Sequence, residues 1–279
     1  MTTVRRSVTP VTVVAVRPDR HLEIPDWLAT EEPLEIRASG PGQTPQAVAV
    51  TMRTPGHDFE LAVGFLRTEG LIDGPVDVAA VKYCELPDGE EQQFNVVTVE
   101  LTRPYDRPDY ARAFSATSSC GTCGKATLDQ VEVWCPVVSA GPRVPASLIP
   151  ALPGRLREAQ RVFEQTGGLH AAAVFDPDGR LVCLREDVGR HNAVDKVIGH
   201  AVLGRTVPLS AHLLMVSGRV SFEIVQKAAI GGVAVIAAVS APSSLAVEAA
   251  ERLGVTLAGF VRGGTYNLYS HPERVDLDR

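Results

Sequence analysis

Two cysteines stand three positions apart in the stretch Ser118-Ser119-Cys120-Gly121-Thr122-Cys123-Gly124-Lys125. No apolar period crosses it, so it reads as an accessible loop. Three chemistries use paired thiols in such a setting. A structural zinc site takes four ligands, often from two such pairs; here there is one pair, with Cys135 and His170 further along the chain. A thioredoxin-like redox pair opens a helix directly after a strand, and Ser115-Ala116-Thr117-Ser118-Ser119 is a poor buried strand. Sulfur transfer needs an exposed thiolate that accepts a sulfane sulfur as a persulfide. Backbone amides at Gly121 and Gly124 and the charge of Lys125 favour the thiolate. A second thiol at this spacing can attack the persulfide. Sulfur transfer suits the residues best, with zinc and redox exchange left open.

A second constellation lies in the last third of the chain. Residues 212–261 alternate as strand, helix, strand, helix, strand, which implies parallel strands with right-handed crossovers. Open sheets of this kind bind ligands at the carboxyl ends of their strands. Those ends carry Ser217-Gly218-Arg219, then Ser240 with Ser243-Ser244, then Arg262-Gly263-Gly264. The hairpin expected over 169–185 is followed by Glu186-Asp187-Val188-Gly189-Arg190-His191-Asn192, again opening a helix. Gly, Ser and Arg beside helix N-termini make an anion site. Taken singly, Ser217, Ser243, Ser244 and Asp187 are more simply helix caps, and Gly263-Gly264 a hairpin turn. Their recurrence at one edge points to a ligand with more than one phosphate. His191, in a loop of charged residues, is the better functional histidine; His170 is as readily structural.

The elements that must position these groups fall into three parts. Residues 1–112 read as a β-rich N-terminal domain with a helix over 58–68. Residues 113–150 hold the cysteine loop and a proline-marked connector. Residues 151–279 form the α/β part, opening with an amphipathic helix over 152–166 that stops at Gly167-Gly168. The chain of 279 residues is 45% hydrophobic and 22% charged, an ordinary globular balance. Its net charge of −6 argues against bulk nucleic-acid binding. Five cysteines without a disulfide framework suit a reducing, cytoplasmic setting. The uncharged stretch 228–247 is broken by Gly231-Gly232 and Pro242, so it reads as helix end, buried strand and helix start, not as a membrane span.

The same residues resemble the formate dehydrogenase accessory sulfurtransferases, the FdhD/NarQ family. The likeness is carried by Ser118-Ser119-Cys120-Gly121-x-Cys123-Gly124, by the run Glu186 to Lys196, and by Ser217-Gly218-Arg219. Met52-Arg53-Thr54-Pro55-Gly56-His57-Asp58, Gly64-Phe65-Leu66, Ser240-Ala241-Pro242-Ser243-Ser244 and Gly259-Phe260-Val261-Arg262 add to it. The resemblance implies a cytidine-deaminase-like mixed sheet and a homodimer. It implies a sulfurtransferase that carries sulfur from a cysteine desulfurase to the molybdenum cofactor, in its bis(molybdopterin guanine dinucleotide) form, for the catalytic subunit of formate dehydrogenase. Cys120 would carry the persulfide, with Cys123 assisting. Phe260, Val261, Arg262, Gly263, Gly264 and Thr265 would bind the cofactor, beside Ser217, Gly218, Arg219, Ser243 and His191. No permanent metal is expected. Zinc deaminases use H-x-E with a later P-C-x-x-C; His170-Ala171-Ala172 lacks that Glu, so the fold likeness does not carry deaminase chemistry. Two alternatives from other classes are a cofactor-binding chaperone whose CxxC is structural, and a nucleotide hydrolase, which would need metal-binding carboxylates such as Glu186-Asp187.

Overall fold

Strict alternation builds the first sheet. In β3 (Glu32–Ser39), Leu34, Ile36 and Ala38 point inward and are fully buried. β3 pairs antiparallel with β4 (Gln46–Arg53) and parallel with β6 (Val96–Leu101), and β5 (Val78–Tyr83) closes the order β4-β3-β6-β5. Across this sheet lies α1 (Asp58–Thr68), with Leu61, Ala62, Phe65 and Leu66 on its buried face. Asp58 and Glu60 in its first turn and Arg67 in its last complement the helix dipole. A separate ribbon, β1 (Val8–Val16) with β2 (His21–Ala29), precedes the sheet. The computed structural model describes residues 6–84, 92–106 and 135–277; Cys120, Cys123 and the periodic piece expected over 128–134 lie outside them.

The second sheet runs β13-β12-β11-β10-β8-β9. β8 (His170–Phe175) and β9 (Leu181–Asp187) form the expected hairpin, and β8 also pairs antiparallel with β10 (Leu213–Val216). β10, β11 (Val235–Ala238) and β12 (Thr256–Arg262) are parallel, and β13 (Thr265–Ser270) folds back antiparallel on β12. A short parallel pair, β7 (Val144–Pro145) with β14 (Val275–Asp276), ties the connector to the C-terminus. Every residue of β10 and β11 is buried, as central parallel strands require. The uncharged stretch resolves into a helix end, β11 and a helix start, and among the described residues no helix is long and apolar enough to cross a membrane.

The amphipathic segment over 152–166 is two helices, α2 (Leu152–Ala159) and α3 (Arg161–Thr166), not one. Gln160 leaves helical geometry at ψ 84°, and the Glu186 carboxylate accepts from the amides of Val162 and Phe163, 3.0 and 2.8 Å away, capping the new start. Three helices return along the parallel strands: α4 (Arg190–Leu203), α5 (Phe222–Ile230) and α6 (Ser244–Arg252). α4 lies against β8 and β9 on one side and against α1 on the other. α1 and α4 cross backbone on backbone. A Cβ on Gly64 would sit 1.8 Å from the Asp195 carbonyl oxygen, and one on Gly199 would sit 1.8 Å from that of Glu60. Only glycine permits this approach.

Charged groups buried at the same joint are paired. Lys227 of α5 reaches Asp195 of α4 at 3.0 Å, Thr68 at the end of α1 at 2.9 Å, and Glu69 just beyond it at 3.1 Å. Burial works against the charge on Lys227, but Asp195 and Glu69 more than offset it and hold its proton above the ordinary lysine range. Fully buried Arg53 forks onto Asp58 at 3.0 and 2.9 Å.

Candidate functional site: a cationic ledge at the strand ends

Antiparallel pairing places the start of β8 beside the end of β10, so His170 joins the edge where β9, β10, β11 and β12 finish. The order along this ledge follows the sheet: Gly189, Arg190 and His191 after β9, then His170, then residues 217–221, then 240–243, then 260–265. Hydrogen bonds tie neighbouring segments. The Ser217 amide donates to the Ala171 carbonyl at 2.9 Å, Ser243 to Val220 at 2.9 Å, and Phe260 to Ser240 at 3.2 Å.

Three of the expected ligand residues have local structural partners. The Ser217 hydroxyl accepts from the Ala171 amide at 2.8 Å. The Ser243 hydroxyl accepts from the Ala246 amide at 3.2 Å and caps α6. The Thr265 hydroxyl donates to the Arg262 carbonyl at 3.1 Å, within the turn. Gly218 lets the chain pass close to a histidine: a Cβ there would lie 3.2 Å from His170 Nδ1. Arg219 is exposed at the rim.

The last segment is an overhang. β12 continues past the end of β11, and residues 259–262 add roughly 13 Å of strand. Gly263 and Gly264, at φ 58° and 80°, close the two-residue hairpin, both in the left-handed region that such a turn demands. The register shifts between Gly259 and Arg262, and Phe260 sits at φ 54°. For a bulky residue this costs on the order of 1–3 kcal/mol. The Arg262 guanidinium stands 5.4 Å from the Phe260 ring centre, in cation–π range.

The long charged run divides its labour. Asp187 is fully buried; it takes Lys196 at 2.6 Å, the Gly189 amide at 2.8 Å, Asn192 at 3.0 Å and the Thr54 amide at 3.3 Å. Lys196 also donates to the Thr54 carbonyl at 2.9 Å, and Asn192 to that of Met52 at 2.8 Å. These groups bolt residues 51–54 to the start of α4. Arg190 and His191 are left facing the ledge. His191 Nε2 lies 3.1 Å from Ser221 Oγ and 2.9 Å from a Glu223 oxygen, so Ser221 turns its hydroxyl to His191 and leaves the α5 amides uncapped by its side chain. The His191 contact lowers the Glu223 carboxyl below its ordinary value. Both partners sit on one ring nitrogen, so the three do not form a hydrolase relay. Burial, then Arg190, His191 and Arg219, hold His170 below its ordinary value. Sequence reasoning did not single out Arg190, Ser221 or Glu223; the available signal was Gly189 followed at once by two basic residues at a helix start.

The carboxylates a metal-dependent hydrolase would need are engaged elsewhere, Glu186 at α3 and Asp187 at Lys196. Among the described residues no group of three or more His, Cys, Asp or Glu is placed to hold a metal. Cys135 is buried near Arg67, whose guanidinium donates to the carbonyl at the end of α5, whereas His170 lies at the opposite edge of the sheet. The two therefore do not join in one zinc site. Burial pushes the Cys135 thiol up to about 12 and the Cys183 thiol up to about 11.

Fold and ledge together define an α/β protein whose strand ends converge on a basic rim. The sequence profile described as the FdhD/NarQ family matches residues 29–276, and the chain belongs to that family. It is 49% identical over 280 residues to a protein of Mycolicibacterium paratuberculosis named sulfur carrier protein FdhD, covering 98% of each chain. A Streptomyces coelicolor protein of the same name is 50% identical over 273 residues, covering 95% of this chain and 94% of that one. The crystal structure of a candidate formate dehydrogenase accessory protein from Desulfotalea psychrophila superposes with a TM-score of 0.75 at 25% identity, over 97% of this chain and 100% of that one. The mixed α/β class expected from the sequence is the one observed.

Proposed function

We propose that this protein is a cytoplasmic sulfur carrier serving formate dehydrogenase, and that its cargo travels as a persulfide on Cys120. The Cys120 thiolate attacks the terminal sulfur of a cysteine desulfurase persulfide. The donor S–S bond breaks, and the desulfurase leaves as a thiolate. The acceptor is the molybdenum cofactor in its bis(guanine dinucleotide) form, bound as substrate. Cys123 attacks the sulfur of Cys120, supplying the two electrons that let the carried sulfur depart as sulfide; a dithiol reductant then reopens the Cys120–Cys123 disulfide. The cofactor's pyrophosphates rest on the ledge, beside Gly218, Arg219, His191 and the overhang from Phe260 to Thr265. A homodimer is the working assembly.

The observation that carries this reading is the convergence of segments 189–191, 217–221, 240–243 and 260–265 on one basic edge, in a chain about half identical to proteins named sulfur carriers. Buried Cys135 and Cys183, with thiols pushed up, are poor persulfide carriers. The test is mass spectrometry after incubation with a desulfurase and cysteine. The wild-type chain should gain one reductant-labile sulfur on the peptide containing Cys120, and Cys120→Ala should gain none and fail to activate formate dehydrogenase. A Cys120→Ala protein that still gains the sulfur and still activates the enzyme would sink the assignment. One tightly bound zinc per chain, lost on mutating Cys120 and Cys123, would instead favour the chaperone with a structural CxxC.

A further inference from the structure

The ledge holds more positive charge than its own carboxylates answer. His170 is faced by Asp187 from β9, by Arg190 and His191 from α4, and by Arg219 from the loop after β10. Asp187 is already committed to Lys196, Gly189, Asn192 and Thr54. Glu223, on the exposed rim of α5, pairs with His191 at 2.9 Å and feels Lys227 and Arg190 only through longer-range attraction. Arg190 has its Nε buried and without a hydrogen-bond partner among the described residues. Buried donors of that kind are rare, and each calls for an explanation. Gly218 lies between these two side chains: a Cβ on it would meet His170 Nδ1 at 3.2 Å and Arg190 Cδ at 3.9 Å. Arg190 and His170 thus flank one spot at the edge, within reach of the first amides of α4, which lack intrahelical partners.

We propose that His170 and Arg190 contact the ligand directly, and that a pyrophosphate diester seated on the ledge takes up one proton, carried by the His170 ring. The inference rests on the reading of the ledge as a phosphate seat and adds to it two residues and a linkage. In the unliganded protein, burial, then Arg190, His191 and Arg219, hold the His170 ring below the ordinary histidine value and so favour its neutral form. A dianion placed beside it reverses the sign of the local field and favours imidazolium. Affinity therefore rises as pH falls through the His170 value in the complex, and levels off below its value in the unliganded chain. Arg190 supplies a charge-assisted donor at every pH.

The experiment is titration calorimetry of the full chain with diguanosine pyrophosphate, whose bridging phosphates do not titrate near neutrality, in buffers of different ionisation enthalpy. Wild type should take up about one proton per ligand near pH 7, with affinity rising by up to tenfold, roughly, per pH unit toward about pH 6. His170→Gln should bind without proton uptake. Arg190→Gln should weaken binding by about tenfold at all pH values. Nitrogen NMR of the wild-type His170 ring, neutral before ligand and charged after, reads the linkage without any variant that could misfold. Binding with no proton uptake, or uptake that survives His170→Gln, overturns the linkage and leaves the phosphate seat standing. Wild type that binds no pyrophosphate at any pH overturns the seat itself.

Discussion

Replacing Gly64 by alanine tests whether α1 and α4 touch by backbone. The added Cβ would lie 1.8 Å from the Asp195 carbonyl oxygen, 2.6 Å from its carbon and 2.9 Å from the Gly199 nitrogen. All three neighbours are backbone, so no side chain can swing away. Restoring ordinary contact at ~3.4 Å separates the helices by about 1.6 Å (3.4 less 1.8) at the crossing. That strains the buried bonds from Asp195 to Thr68, at 2.7 Å, and to Lys227, at 3.0 Å. Overpacking of a tight core costs about 1–3 kcal/mol, and a weakened buried charge pair adds on the order of 2 kcal/mol. Better helix propensity returns ~1 kcal/mol. The net loss is ~3 kcal/mol, or roughly a 6–12 °C fall in Tm at about 2–4 °C per kcal/mol. The control is Gly154→Ala in α2, where a Cβ meets nothing within 4 Å; it should be neutral or gain up to ~1 kcal/mol. Urea and thermal unfolding read both. A Gly64→Ala protein as stable as Gly154→Ala would refute the backbone crossing.

Asp187→Asn should destabilise by about 3–5 kcal/mol, because it leaves buried Lys196 without its countercharge; Asp187→Asn combined with Lys196→Met should cost less than the two single changes summed, as read from a double-mutant cycle in urea. Burial alone would raise the Glu60 carboxyl, but Arg185 and then His57 overcome it and hold Glu60 well below the ordinary range. The stability it contributes is therefore present above about pH 4.3 and drains away as pH falls toward its depressed folded-state value. Glu60→Gln should flatten the acid limb of the stability curve between about pH 5 and pH 2, and an unchanged limb would count against the pairing. Alkylation at about pH 7.5 followed by peptide mass spectrometry should leave Cys135 and Cys183 unmodified in the folded chain and modify both in denaturant, since burial pushes both thiols far above that pH.

The sequence was most transparent where one periodicity had no competitor. The spacing of Phe59, Leu61, Ala62, Phe65 and Leu66 predicts a helix over 58–68, and α1 spans those residues. The alternation after residue 212 yields three parallel strands in the expected order. β2 was illegible because Pro25, Asp26 and His21 interrupt it and neither face of the ribbon is buried, so no apolar period is imposed. The break at Gln160 depends on Glu186, which arrives from a strand and caps amides 24 and 23 residues before it. At the ledge, the Gly, Ser and Arg residues could be gathered from strand order alone. Which of them face outward could not: Asp187 reads as a cap and is in fact paired with Lys196 and Thr54, while Arg190 three positions on keeps a buried donor unmatched.

The bolts between residues 51–54 and the start of α4 also bear on how the chain acquires its structure. The Thr54 and Met52 backbone groups are paired with residues 133 to 142 positions later, and Thr68 with Lys227 across 159. Such separations slow folding, because a long loop must close before its contacts form. During synthesis, at about 5–20 residues per second, the first sheet, complete at Leu101, emerges roughly 4–19 seconds before Asp187, Asn192 and Lys196 exist to complete it. The glycine face of α1 is exposed for the same interval. The nascent N-terminal half is thus the stage at which this protein is most open to chaperone capture.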